Sequence, residues 1–411
     1  MSNVLYLVHR LPYPPNKGDK VRSYHILRHM AQRHRVFLGT FVDDPEDAIH
    51  VDTVRAWCAD VCAVPLSPRL ARLRSARGLA TGTALTLPYY RDTRLQHWVN
   101  QVCAGRGIDA VVIFSSAMAQ YVAHWSALPL LVDFVDMDSA KWSQYGATRL
   151  WPLSWLYRRE GVRLLEFERR TAMLAQRSFF VTEQEAELFR RQAPEAAGRV
   201  EALNNGVDGE FFSPAHDFAN PFADGEVAVV FTGAMDYWPN IDAVTWFVQE
   251  VLPLLQATHP QVRFYIVGRS PAPAVRQLAS AAVTVTGTVA DVRPYLRYAA
   301  VVAAPLRIAR GIQNKVLEAM AMGCAVVISR ACAAAVDARE GEHMRSAETP
   351  GEFSSAVARL LDDRDGGGAL GRAARMQVLQ RYGWDAHLSA LERHIEEAAK
   401  GAALAQRRVG T

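Results

Sequence analysis

The sequence predicts an α/β protein made of two Rossmann-like halves, each a parallel sheet with helices packed on its faces. Three observations carry this reading. Short, apolar, β-branched runs alternate with stretches of helical character, the pattern of βαβ units. The alternation pauses at a stretch rich in Asn, Gly and Pro, 199–226, and restarts after it. Several strand-like runs end on a glycine, which lets backbone approach a ligand at the carboxyl edge of a parallel sheet. A chain of 411 residues, half of them apolar, is long enough to bury two such cores.

In the first half, Asn3–His9 is strand-like and leads into a segment whose prolines Pro12, Pro14 and Pro15 forbid a helix. Lys17–Lys20 reads as a tight loop around Gly18, followed by an amphipathic helix from Val21 and a second strand, Val36–Phe41. Lys17, Lys20 and Arg22 put cations beside that loop, which reads equally as a phosphate-facing turn or a proline-stiffened surface loop. Cys58 and Cys62 are spaced for one helix face. Leu66–Tyr90 intersperses Arg69, Arg72, Arg74 and Arg77 with leucines, and Trp151–Arg170 mixes aromatics with arginines. Each reads as a solvated helix face or as a basic amphipathic segment lying on a membrane. Strands follow at Asp109–Phe114 and Leu130–Phe134. The second runs into Asp133, Asp136 and Asp138, whose alternation invites a metal, while Asp138 and Ser139 equally suit a cap for a helix at Lys141–Tyr145. Ser178–Thr182 completes this half.

The second half restarts with strands Val227–Thr232, Arg263–Val267 and Val283–Thr286, punctuated by Gly233, Gly268 and Gly287. A helix begins near Ile241 and a short one covers Val292–Tyr298. Val301–Ser329 then reads as strand, loop, helix, strand. The helix Asn314–Met322 has Gly323 where a C-terminus favours glycine, and Cys324–Ile328 fits a buried parallel strand. Lys315 and Glu318 lie one turn apart on this otherwise apolar helix. Its N-terminus offers N–H groups and positive potential to a phosphate. Arg307, Arg310 and Lys315 would each add a charge-assisted bond of about 1.5–3 kcal/mol. Glu318, acceptor only, suits a pair of hydroxyls. Phosphates and a diol together describe a nucleoside diphosphate. The tail, Phe353–Leu361 and Gly371–Leu391, is helical.

Composition excludes several classes. Net charge is +4 with no dense basic run, which disfavours nucleic acid as a partner. Five scattered cysteines suggest neither a disulfide framework nor a zinc knuckle, and fit a reducing compartment. Val4–Val8 reads as a first strand rather than a signal peptide, and no apolar stretch is long enough to span a bilayer. No G-x-G-x-x-G follows the first strand, which argues against a nicotinamide dehydrogenase.

The stretch PLRIARGIQNKVLEAMAMGCAVV resembles the donor-site motif of glycosyltransferase family 4, retaining enzymes of the GT-B fold. NNGVDGEFFSP, Asn204–Pro214, resembles that family's inter-domain segment, and YGWDAHLSALERH its final crossing helix. The variant is most similar to sugar transferases associated with PEP-CTERM/exosortase exopolysaccharide clusters. The resemblance implies two Rossmann-like domains facing across a cleft: an acceptor domain, 1–205, joined by the helix at about 384–400, and a nucleotide-sugar domain, 206–383. It puts Glu318 on the ribose, the Gly233 loop near the phosphates, Gly287 and Val289 at the base, and Gly18 and Lys20 in a loop facing phosphates and acceptor. Asp136 falls where most members have a histidine facing the cleft, and it is expected to act with Lys315 in catalysis. Two departures stand out. The first glutamate of the usual motif is replaced by Arg310, and Tyr237–Asn240 occupy places where an arginine and a lysine are usual. Arg307, Arg310, Gly311 and Lys315 would then serve the phosphates. The implied reaction is glycosyl transfer to a saccharide or lipid-linked acceptor, without metal or other cofactor. It would take place in the cytoplasm, with 66–90 as a peripheral membrane contact. A nucleotide-sugar epimerase and a non-catalytic nucleotide-sugar binder stay open beside it.

Overall fold

The computed structural model describes residues 1–15, 18–125, 127–148, 150–309, 312–363, 365 and 367–409. The chain divides into two compact units, Met1–Asn205 with His387–Thr411, and Gly206–Ala386.

The first unit holds β1 (Asn3–Val8), β2 (Arg35–Val42), β3 (Asp60–Pro65), β4 (Ala110–Phe114), β5 (Leu130–Val135), β6 (Arg177–Phe180) and β7 (Val200–Ala202). They form one parallel sheet in the order β3-β2-β1-β4-β5-β6-β7. β1 is an interior strand, and Val4–Val8 are wholly buried because both faces of the sheet are covered. That is why this strand is a continuous apolar run rather than an alternating one. β3 is an edge strand, and its half-exposed residues carry a weak pattern. Cys62 lies in it, so the expected helix face shared with Cys58 does not exist: neither residue is helical.

The second unit holds β8 (Val227–Thr232), β9 (Val262–Val267), β10 (Val283–Gly287), β11 (Val301–Ala304), β12 (Val326–Ser329) and β13 (Arg345–Ala347). Again all pairs are parallel, in the order β10-β9-β8-β11-β12-β13. Phe231, Phe247 and Phe264 are buried in its core, the last two stacked at 4.3 Å. Such a pair adds about 0.5–1.5 kcal/mol beyond its area burial. In each sheet the strand order reverses once, between β1 and β4 and between β8 and β11. Loops leave on opposite sides of such a point, so it is where doubly wound sheets hold ligands.

The tail is two helices, Gly368–Tyr382 and Trp384–Val409, so the helical run expected over Gly371–Leu391 is interrupted at Gly383. Gly383 is extended at φ −62° and ψ 141°, and the Val207 N–H bonds to the Tyr382 carbonyl at 2.7 Å. The incoming chain thus takes the place of the next helical turn. The second helix holds the first unit through Glu392, whose carboxylate meets His34 Nε2 at 2.7 Å and His29 Nε2 at 3.4 Å.

Candidate active site

The site of the second unit starts from two glycines. β8 and β9 end side by side, and the Gly233 N–H bonds to the Val267 carbonyl at 3.0 Å. A Cβ on Gly268 would stand 1.7 Å from the Gly233 carbonyl oxygen, so only glycine lets these strand ends close. A Cβ on Gly233 would stand 2.9 Å from Lys315 Nζ and 2.9 Å from Asn240 Nδ2. The bare backbone there makes room for an ammonium at the carboxyl end of β8.

Lys315 comes to that point on the helix Asn314–Ala321, which follows β11, the neighbour of β8 across the reversal of strand order. The helix buries Val316, Leu317, Ala319, Met320 and Ala321. Gly323, at φ +71°, ends it in a Schellman turn, with Gly323 N–H on Met320 O at 2.9 Å and Cys324 N–H on Ala319 O at 3.0 Å. Arg375 ties down the same end by donating to the carbonyls of Ala321, Phe212 (2.8 Å) and Gly209 (3.1 Å). At the other end Gln313 is the N-cap residue, in extended conformation at φ −99° and ψ 111°. The apolar face and the pinned C-terminus together fix where the first turn points.

Lys315 Nζ donates to Asn240 Oδ1 at 2.5 Å and lies 4.3 Å from the Phe231 ring centre. Its partner is Asn240, not Glu318. Asn240 is buried and is itself oriented by donating Nδ2 to the Ala234 carbonyl at 2.8 Å. In sequence this position shows only as one that lacks a usual cation. Burial pulls the Lys315 ammonium down to about 8, opposed by the charges of Glu318 and Cys332. Burial pushes the Glu318 carboxyl up to about 7, opposed by Lys315. A cation and an anion each held near its neutral point will take up charge readily when a ligand of opposite character arrives.

The remaining expected residues divide. Arg307 is half-exposed and engaged by Asp242, with Nε 3.1 Å from Oδ2 and Nη2 2.5 Å from Oδ1. A phosphate would have to share it with that carboxylate. Arg310 and Gly311 lie outside the described residues. Gly287, at φ +69°, ends β10 on the same sheet edge as Gly233, two strands away, roughly 10 Å at the usual strand spacing. Val289 is partly buried against the cluster of Phe222, Val230 and Tyr265, so its side chain serves packing at least in part.

In the first unit Lys20 is not the free cation expected. The helix begins at Gly18 rather than Val21, which turns Lys20 inward. It is buried, with Nζ 2.5 Å from Oδ2 of the equally buried Asp47. Arg22 is also buried. Its Nε and Nη2 grip Asp133 at 2.7 and 3.1 Å, and Nη1 donates to the Leu203 carbonyl at 2.6 Å and Asn205 Oδ1 at 3.0 Å. Asp133 therefore anchors the first helix. Asp136 is half-buried and accepts from Lys141 Nζ at 2.7 Å, while Lys141 also reaches Asp138 at 3.4 Å. Burial raises the Asp138 carboxyl, with Lys141 opposing.

Asp138 opens a helix, Asp138–Thr148, that starts three residues before the expected Lys141. The caps come from elsewhere: Met137 N–H bonds to Glu185 Oε2 at 2.9 Å, and Ser139 donates N–H and Oγ–H to Glu168 at 3.3 and 2.5 Å. Ser115 and Val135, just after β4 and at the end of β5, have φ of +73° and +68°. A β-branched residue there is strained by about 1–3 kcal/mol, and such strain clusters at functional sites. Among the described residues no group of three or more His, Cys, Asp and Glu side chains is arranged to hold a metal ion.

Residues 226–363 match the family model described as glycosyl transferases group 1. No curated protein matches the chain in sequence. Among solved structures, the Anabaena protein Alr3699/HepE with UDP and glucose is similar at 15% identity and a TM-score of 0.62, over 97% of this chain and 100% of that one. Sucrose-phosphate synthase from Thermosynechococcus elongatus is 18% identical with a TM-score of 0.64, over 97% and 100%. WaaG, a glycosyltransferase involved in lipopolysaccharide biosynthesis, is 16% identical with a TM-score of 0.58, over 94% and 98%. At these identities the likeness is one of fold, and with the two parallel sheets that fold is GT-B. The group 1 match over the second unit supports a glycosyltransferase.

Proposed function

We propose that the chain is a retaining glycosyltransferase of the family 4 kind. It would move a sugar from a nucleotide-diphosphate sugar to a saccharide or lipid-linked acceptor in exopolysaccharide or other cell-surface glycan synthesis. The observation that carries this is the Lys315 ammonium, fixed by Asn240 over glycine backbone where the strand order reverses, with Glu318 one turn on. Lys315 and the first turn of its helix meet the diphosphate. Glu318 accepts from the ribose hydroxyls. The turn at Gly287 and Val289 lies where the base would extend, and Arg307 would flank the phosphates, a role the family resemblance also gives to Arg310 and Gly311. The Anabaena structures contain UDP and UDP-glucose, so uridine donors are the first to test.

In the reaction the bond from the anomeric carbon to the phosphate oxygen breaks, and the acceptor oxygen bonds that carbon on the same face. The acceptor proton passes to the leaving phosphate. Charge grows on that phosphate, so donors already aimed there lower the barrier, with no metal required. The first unit presents the acceptor, with Asp136 orienting a hydroxyl beside the strained end of β5. The work would be done in the cytoplasm, with 66–90 at the membrane.

The test is donor turnover with and without acceptor, for the wild type, Lys315→Ala and Glu318→Ala. Loss of one preorganised electrostatic contact should lower kcat/KM about 10²–10³-fold. Wild-type kcat/KM in both variants would remove the assignment. Donor isomerisation without acceptor would favour an epimerase, and nucleotide binding without turnover a non-catalytic binder.

A further inference from the structure

The two basic, aromatic segments lie together in the first unit. Arg159 donates to the carbonyls of Gly78 at 2.7 Å and Thr83 at 3.2 Å. Glu160, buried, accepts from the N–H groups of Leu85 at 2.6 Å and Thr86 at 2.9 Å. The first turns of the helix Leu153–Leu174 are thus clamped onto the short helices Arg77–Thr81 and Thr86–Tyr89. Trp155 stands one turn before Arg159 on the same side of that helix.

The clamped segments leave large apolar side chains in solvent. Leu150 is 88% exposed, Trp151 81%, Leu73 74% and Leu70 67%, with Trp155 and Leu79 about half exposed. Isolated exposed leucines are ordinary, but six such side chains on two joined segments mark an interaction surface. Its charge selects the partner. Arg69, Arg72, Arg77 and Arg158 are exposed, and there is no Asp or Glu anywhere in 66–91 or 145–159. Glu160, which follows the second stretch, is turned into the clamp.

We propose that this face docks on an anionic lipid bilayer, with Trp151, Leu150, Leu70 and Leu73 entering the headgroup region and the guanidiniums meeting lipid phosphates. Tryptophan with arginine and leucine, without acid, is the composition of an interfacial anchor. No helix among the described residues is long and apolar enough to cross a membrane, so contact would lie in the plane. The helix Asp138–Thr148, eleven residues, begins two positions after Asp136 and ends two positions before Leu150. At 1.5 Å per residue it is roughly 16 Å long. A lipid-linked acceptor held by the face would therefore have its headgroup near the carboxyl edge of the sheet. The proposal deepens the lipid-linked acceptor reading and rests on it for its biological sense, though not for its physics.

The experiment is co-sedimentation of the full chain with vesicles of phosphatidylcholine alone, or with roughly one third phosphatidylglycerol. Wild type should partition to the anionic vesicles at least about tenfold better, less so at high salt. Arg72→Ser with Arg77→Ser should lower that partition about 25-fold, about fivefold per guanidinium. Trp151→Ser should lower binding to both vesicles. Stabilisation by UDP should be unchanged in all these variants, which shows that the fold and the donor site are intact. Equal binding to both vesicles, or variants that sediment like wild type, would overturn the proposal. A wild-type dimer dissolved by the same substitutions would overturn it too, assigning the face to a protein. Vesicle binding without any nucleotide binding would leave this proposal standing and remove the transferase reading.

Discussion

The pH dependence of nucleotide binding puts the proposed site to its most direct test. A diphosphate prefers the charged form of Lys315, and burial has brought that ammonium down to about 8 from its ordinary 10.5. In the complex the phosphate charge restores the ammonium, so affinity must fall as pH rises from about 8 toward the bound value, by up to tenfold per unit. A half-buried side chain keeps part of its hydration, so we expect a loss of about 10- to 50-fold between pH 8 and 10. Glu318, pushed up to about 7, accepts ribose hydroxyls best as a carboxylate, so affinity also falls as pH drops below about 7. Without ligand the signs reverse. The depressed Lys315 makes stability rise as pH climbs from about 8 to 10.5, and the raised Glu318 makes it fall between 4.5 and about 7. These two groups thus weaken the empty fold most between pH 7 and 8, where they favour ligand most. Calorimetric titration of UDP from pH 5.5 to 10 into wild type and Lys315→Ala isolates the alkaline limb, because the nucleotide's own ionisations are common to both. A 2′,3′-dideoxy nucleotide should lack the acid limb. If wild type and Lys315→Ala lose affinity in parallel above pH 8, the ammonium does not touch the phosphates and the site is misassigned.

Two further substitutions check the surrounding structure. Gly268→Ala puts a methyl group against the Gly233 carbonyl and must part the ends of β8 and β9. We expect about 3 kcal/mol of destabilisation, roughly 6–12 °C in Tm, together with loss of UDP binding, and an unchanged melting curve would contradict it. Lys20→Met leaves Asp47 buried without its cation, at a cost of about 3–5 kcal/mol in chemical denaturation, which Lys20→Met with Asp47→Leu should largely recover. The folded fraction of Lys20→Met should bind UDP as wild type does. Impaired UDP affinity in a well-folded Lys20→Met would return Lys20 to the donor site.

What the sequence makes legible here is whatever a local period can encode. β1, β4, β8 and β11 are short apolar runs buried on both sides, and each stands out from its surroundings. Gly233, Gly268 and Gly287 stand out because each ends a strand-like run, though the contact that requires Gly268, the Gly233 carbonyl, comes from the neighbouring strand. Lys315 and Glu318 sit on a helix whose other side chains, Asn314 apart, are apolar, so one turn of spacing suffices to single them out. The partners of those residues are another matter. Asn240 lies 75 positions from the ammonium it holds, and Asp47 is 27 positions from Lys20. Arg22 finds Asp133 at a separation of 111. A cation in a loop of unknown depth looks the same whether it waits for a phosphate or neutralises a buried carboxylate. Only the fold tells Lys315, lying against strand-end backbone with an amide partner, from Lys20, closed in with an aspartate. The same limit applies to the surface. Arg69, Arg72 and Arg77 are visible as a basic amphipathic stretch, and Trp151 and Trp155 as an aromatic one. That they form one face depends on Arg159 reaching the Gly78 carbonyl, 81 positions away. Local pattern therefore proposes residues, and long-range pairing decides which of them remain available to a ligand. For this chain that decision favours Lys315 and Glu318 in the second unit, and takes Lys20, Arg22 and Asp133 out of the first unit's site.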